Sequence, residues 1–157
     1  MPADVADIRD VTQRAFAGCP YSGGNEQDIV DALRSGKALT ISLVATVAGK
    51  TVGHVAFSPA KAEDGSPGWY TLGPVSVHPD VQRQGIGHKL IIAGIGRLRD
   101  LKASGCIVLG DSNYYSRFGF VKAPQIAPAR EPKEHFMILC LGSSAPNCVL
   151  NFHEVFH

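Results

Sequence analysis

The chain has no excess of either charge. Fifteen Lys and Arg face fourteen Asp and Glu, a net charge of +1, which argues against the one-sided basic surface of a nucleic-acid or membrane-surface binder. No apolar run approaches the ~18 residues of a membrane helix, and the chain opens on no signal-peptide pattern. The four cysteines, Cys19, Cys106, Cys140 and Cys148, show neither Cys-x-x-Cys spacing nor a dense disulfide framework. Cys106 and Cys140 lie in apolar runs and read as small buried hydrophobes. The expectation is a cytoplasmic protein with no nucleic-acid partner, no membrane partner and no metal. What the chain does have is material for a core: 45% of its 157 residues are hydrophobic and 18% charged. That fits one folded domain, expected to span residues 1–157.

Residues 5–16 carry Val5, Ile8, Val11 or Thr12, Ala15 and Phe16 at helical spacing, with Asp4, Asp7 and Asp10 early, where the helix dipole favours acids. Residues 18–24 break this helix. A second is expected over 26–34, with Ile29, Val30 and Leu33 on its apolar side and Gly36 ending it. Residues 39–48 and 51–58 are rich in β-branched residues and read as a hairpin turning at Gly49-Lys50. Residues 61–68 read as loop, and 69–77 as a third strand. A helix from about 85 to 102 presents Leu90, Ile91, Gly94, Ile95 and Leu98 as one stripe. Gly94 and Gly96 inside it cost about 1 kcal/mol each relative to alanine, which implies a packing reason such as close approach to the sheet. Residues 105–110 form a strand, giving a strand–helix–strand unit and hence a parallel pair. Ser112 is expected to cap a short helix over 113–118. Strands follow from Phe120, at 136–141 and at 148–152, the last assigned to the chain's own sheet rather than to another chain's edge. The fold class is α+β, a mixed sheet flanked by helices.

The chain turns on one stretch, Val75-Ser76-Val77-His78-Pro79-Asp80 followed by Gln82-Arg83-Gln84-Gly85-Ile86-Gly87. It reads as a strand, a polar turn and a glycine-rich helix start. The first N–H groups of a helix have no partner within it, and the dipole adds positive potential, so both favour a phosphate. Glycines at 85 and 87 remove side chains where phosphate oxygens would touch backbone. A dinucleotide fingerprint is the competing reading, but its third glycine is absent at the required spacing and Asp100 looks like ordinary helix surface.

Those residues fit Q/R-x-x-G-x-G/A, and Tyr115-Ser116-Arg117-Phe118-Gly119-Phe120 downstream supplies an aromatic hydroxyl four residues before a Gly-Phe pair. Together they resemble the acyl-CoA-binding motif and the second motif of the GNAT superfamily of N-acetyltransferases, over residues from about 4 to 141. The resemblance implies the GNAT fold: a mixed, mostly antiparallel sheet with a parallel splayed strand pair and about four helices. The family usually opens on a strand before the first helix. Here the sheet is expected to lack that strand, or the chain to begin part-way into the fold.

The resemblance also implies acetyl-CoA as acyl donor, with no metal. Gln82, Arg83, Gln84, Gly85, Ile86 and Gly87 would hold its pyrophosphate, through backbone N–H groups of Arg83, Gln84 and Gly85 with the Gln82 and Arg83 side chains as helpers. Val75 and Val77 would pair with the pantetheine arm, an N–H there, assigned to Val77, polarising the thioester carbonyl as an oxyanion hole does. Asn113 joins the cofactor-binding set. Tyr115 would hydrogen-bond or protonate the leaving sulfur, since a thiol near pKa ~8.5 and a phenol near ~10 match in that role. Tyr114 is its rival; on a helix the two point about 100° apart. The general base stays open among Glu26, His54, Ser76, Asp111 and water, with His78 read as structural or cofactor-side and Cys19 lacking any His/Asp partner.

The expected activity is transfer of an acetyl group from acetyl-CoA to a primary amine by direct attack in a ternary complex. The competing classes are a non-catalytic acyl-CoA-binding or interaction module on the same fold, and a nucleotide-binding protein using the glycine turn alone. The acceptor is left open, because the variable stretches 18–27 and 123–136 carry Tyr21, Glu26, Arg130, Glu131, Lys133, Glu134 and His135 with no dominant charge. The assembly is expected to be a monomer or homodimer.

Overall fold

The computed structural model describes residues 5–16, 26–35, 40–128, 132–142, 146 and 148–152. In chain order the elements are α1 (Val5–Phe16), α2 (Glu26–Ser35), β1 (Ile41–Val47), β2 (Lys50–Pro59), β3 (Lys61–Ala62), β4 (Trp69–Val77), α3 (Ile86–Asp100), β5 (Gly105–Leu109), α4 (Ser112–Tyr115), β6 (Val121–Lys122), β7 (Phe136–Cys140) and β8 (Leu150–Asn151). The result is an α+β fold with a mixed, mostly antiparallel sheet in which β4 and β5 are the parallel pair. Among the described residues no helix is long and apolar enough to cross a membrane. The expected breaks at 18–24 and at Gly36, and any strand before α1, fall outside the described residues. The chain divides into two compact units, Met1–Phe57 with Gly73–Ile95 and Ser58–Leu72 with Gly96–His157.

In the first unit α1 and α2 bury Ile8, Val11 and Val30. Thr12 is buried as well, because its hydroxyl donates to the Ile8 carbonyl at 2.7 Å and so leaves no polar atom unsatisfied. Arg9 of α1 bridges to Asp28 and Asp31 of α2. β1 and β2 pair antiparallel from Ile41↔Phe57 to Val47↔Lys50. The hairpin therefore turns at Ala48-Gly49, one residue before the expected Gly49-Lys50. Both turn residues have positive φ, +51° and +79°, as a two-residue hairpin whose twist matches its strands requires. β2 is flanked by β4. The α3 stripe is as read: Leu90, Ile91 and Ile95 are buried. The packing reason for Gly94 is visible, since a methyl there would run into the Phe57 ring.

The second unit contains the β4–β5 ladder, three pairs from Trp69↔Gly105 to Thr71↔Ile107. Both strands run on, β4 to Val77 and β5 to Leu109. β5 pairs antiparallel with β7 over five residues, and β7 with β6. The core gathers Trp69, Ile107, Phe136, Ile138, Leu150 and Phe152. Gly105 sits where any side chain would strike Leu139 backbone and the Trp69 ring. Gly96, by contrast, has open space where a Cβ would stand, so the packing reason expected for it is not found.

Three further expectations need correction. Residues 61–68 are not all loop: Lys61–Ala62 is a strand that pairs with Leu150–Asn151. The tail accordingly forms a separate two-stranded sheet with β3, a pairing too short to leave any periodicity in the sequence. Asp111, not Ser112, caps the short helix, its carboxylate accepting from the Asn113 N–H. Cys106 is buried as read, but Cys140, at the end of β7, is exposed.

Candidate functional site

The glycine turn lies wholly in the first unit. β4 ends at Val77, and Pro79–Val81 form a single 3-10 turn capped by His78, whose Nδ1 accepts from the Asp80 N–H at 3.1 Å. The His78 N–H is anchored on the Val52 carbonyl of β2 at 2.7 Å. The Gln82 side-chain amide donates to the Val77 carbonyl at 2.9 Å and closes the loop. Arg83 has φ +65° and Gly85 φ +83°, and left-handed residues set between extended and helical ones turn successive N–H groups toward a common side. Gln82, Arg83, Gln84 and Gly85 are all exposed. Nothing stands within 4 Å of where a Gly85 Cβ would be, so glycine is required there by conformation and leaves a cradle. α3 follows at once, its first turn free of acids, and the Gly85 carbonyl accepts the Lys89 N–H at 3.0 Å. Exposed helix-start donors and no competing carboxylate suit an anion.

Val75 and Val77 are half-buried on β4, with Ser76 between them buried at 1% exposure and its hydroxyl without a partner. His54 of β2 is fully enclosed. Its Nε2 meets the Ser42 hydroxyl at 2.7 Å, and its Nδ1 has no partner. Burial, and secondarily the positive charge of Arg34, push its pKa down to about 4, so the ring is neutral at physiological pH. The Glu26 side chain lies outside the described part. A cavity of about 600 Å³ lined in part by Asp7, Asp10, Lys50, His78 and Asp80 also belongs to this unit; residues 82–87 do not line it.

Tyr114, Tyr115 and Asn113 lie in the second unit. Asp111 fixes the start of α4: its carboxylate accepts the Asn113 N–H at 2.9 Å, and its carbonyl accepts the N–H groups of Tyr114 and Tyr115. One carboxylate oxygen of Asp111 thereby serves as a cap, and Asp111 and Asn113 are both exposed. The two tyrosines differ in setting. Tyr114 carries Arg117 over its ring, 4.7 Å from the centroid. Tyr115 packs edge-on to Tyr114 and Phe120, at centroid distances of 5.0 and 5.8 Å. Burial, then the neighbouring Tyr114, raise the Tyr115 phenol well above its ordinary value. For Tyr114 burial acts upward and Arg117 downward. Sequence reading missed Gly110: a methyl there would collide with the Tyr115 ring, which rests directly on that backbone. A glycine closing an apolar run gives no such signal. Among the described residues no cluster of His, Cys, Asp or Glu is arranged to hold a metal ion.

Comparison with known proteins adds to this geometry. The model of the Acetyltransferase (GNAT) domain matches residues 39–122. The uncharacterized N-acetyltransferase YjhQ of Escherichia coli strain K12 is 38% identical over 141 residues, 85% of this chain and 75% of that protein. A GNAT family acetyltransferase from Brucella melitensis, solved in complex with acetyl-CoA, superposes with a TM-score of 0.89 at 46% identity, covering 100% of this chain and 94% of its own. YhbS from E. coli, solved in complex with CoA, gives a TM-score of 0.89 at 28% identity, covering 99% and 88%.

Proposed function

The chain belongs to the GNAT acetyltransferase family, and from that premise we propose that it transfers an acetyl group from acetyl-CoA to a primary amine by direct attack in a ternary complex. The observation that carries the reading is the turn of residues 82–87, exposed, left-handed at Arg83 and Gly85 and running straight into α3. The cradle at Gly85 fits a pyrophosphate, with Arg83, Gln84, Gly85, Ile86 and Gly87 around it and Gln82 holding the loop shut through Val77.

Acetyl-CoA supplies the activated thioester. Val75 and Val77 offer β4 backbone to its arm, and the Val77 N–H takes the oxygen that becomes negative as the amine adds. Tyr115, whose raised pKa keeps its proton in place, donates to the departing sulfur. Asn113 lends a polar contact on the cofactor side. We assign the amine's proton to water, since His54 is enclosed and its lowered pKa makes it a weak base.

Isothermal titration with acetyl-CoA tests the reading directly. Binding in the micromolar range is expected for the wild type and none for Gly85→Asp, which sets a side chain and a negative charge in the cradle at a residue whose φ disfavours any side chain. A wild type that ignores acetyl-CoA at hundreds of micromolar would sink the proposal.

A further inference from the structure

The peptide joining Val77 to His78 is held at both ends. Its N–H, carried by His78, donates to the Val52 carbonyl of β2 at 2.7 Å. Its carbonyl, carried by Val77, accepts from the Gln82 side-chain amide at 2.9 Å. The two groups of a trans peptide point in opposite directions, so the Val77 carbonyl faces away from β2. The preceding peptide has the same sense. The Ser76 carbonyl lies against β2, 3.3 Å from where a Gly53 Cβ would stand, and the Val77 N–H at that peptide's other end therefore also faces away. Val77 thus presents its N–H and its carbonyl to one side, as an extended residue does. The β4–β5 ladder has ended at Thr71, so β5 pairs with neither group.

That side holds two opposed dipoles. The N–H suits an oxygen that gains negative charge, but the carbonyl beside it is itself negative and works against that charge. Within a sheet the N–H of a neighbouring strand would satisfy such a carbonyl. Here a side chain does so. Gln82 sets the positive end of its amide over the Val77 oxygen, offsets that oxygen's charge and fixes the plane of the peptide.

We propose that Gln82 is a positioning residue for the thioester: by covering the Val77 carbonyl it leaves the Val77 N–H as the group that meets the acyl oxygen, and so strengthens polarisation of the acetyl carbonyl. The inference rests on the N-acetyltransferase reading above and on the part it gives Val77. It goes beyond loop closure, because Gln82 then acts on the reacting carbonyl through backbone it does not share. A residue that only closed the loop would set how tightly acetyl-CoA binds and leave its carbonyl unchanged.

The test needs no acceptor. The full chain is loaded with acetyl-CoA isotopically labelled at the thioester carbonyl, and the carbonyl stretch is read by infrared difference against unlabelled acetyl-CoA. Calorimetry gives the Kd of each variant. Gln82 is exposed, so substitutions there disturb no core. The wild-type band should lie below that of free acetyl-CoA, as a polarised carbonyl requires. Gln82→Met, of similar length but without a donor, should move the band up. Gln82→Glu, of the same shape but only an acceptor when ionised, should move it further. Gln82→Arg restores a donor and should bring the band back towards the wild-type position. Gly85→Ala strains the cradle at φ +83° without touching Val77, and should leave the band in place whatever it does to affinity. The proposal is overturned by a band that stays put in Gln82→Met and Gln82→Glu, by Gln82→Arg shifting it as far as Gln82→Met, or by Gly85→Ala shifting it equally. A wild-type band no lower than that of free acetyl-CoA also overturns it. A Gln82→Met variant that binds no acetyl-CoA counts against it too, since loop closure alone would then account for Gln82. Failure of the wild type to bind acetyl-CoA would take the parent reading down with it, and calorimetry tells the two apart.

Discussion

At the scale of single residues, the setting of Tyr115 depends on an atom that is missing elsewhere. Gly110 has no Cβ, and the Tyr115 ring occupies the space where one would be, with Phe118, Phe120 and Tyr114 around it. If the Tyr115 hydroxyl serves the leaving sulfur, Tyr115→Phe should lower kcat by about a hundredfold while the acetyl-CoA Kd holds. Gly110→Ala should lower kcat in the same direction by moving the ring. In the Tyr115→Phe background Gly110→Ala should then cost almost nothing further, because both changes act through one hydroxyl. Steady-state kinetics on the two single variants and the double variant would show this; additive losses would separate Gly110 from Tyr115. Sequence spacing could point to a tyrosine four residues before Gly119, but not to what would hold it.

At the scale of elements, helix periodicity was the most legible signal. α1 occupies the expected residues, and the buried stripe of α3 is the one its spacing implies, because one apolar residue per turn leaves little choice of face. What was obscure was local. β3 and β8 are two residues long and show no alternation, and the hairpin turn slid by one residue since Ala48 accepts a positive φ. The two glycines inside α3 look alike in sequence and should behave oppositely on substitution. Gly96→Ala meets nothing and should gain stability by up to about 1 kcal/mol from helix propensity. Gly94→Ala gains the same propensity but drives a methyl into Phe57. Overpacking of that kind costs about 1–3 kcal/mol, so net destabilisation is expected. Urea unfolding of the two variants beside the wild type reads both signs.

At the scale of the whole molecule, class and family were legible because several motifs fell in order along one chain; the acceptor was not, because the variable stretches 18–27 and 123–136 carry no dominant charge. The buried His54 leaves a mark on stability. His54 in the folded protein resists protonation until about pH 4, whereas an unfolded chain's histidine takes its proton near ~6.5. Between those values the unfolded state binds more protons, so stability rises with pH across the window and is lost as pH falls through it. The full window is worth about 3 kcal/mol. Denaturant unfolding at pH 7 and 4.5 should show this loss in the wild type and a much smaller one in His54→Gln. The bond from Gln82 to the Val77 carbonyl has a consequence of another kind. It closes the loop using the protein's own groups, so the conformational entropy of ordering that loop is spent during folding. Association then carries no such charge. Its heat-capacity change should report buried surface alone, and its on-rate should be set by diffusion and docking rather than by waiting for a loop to form.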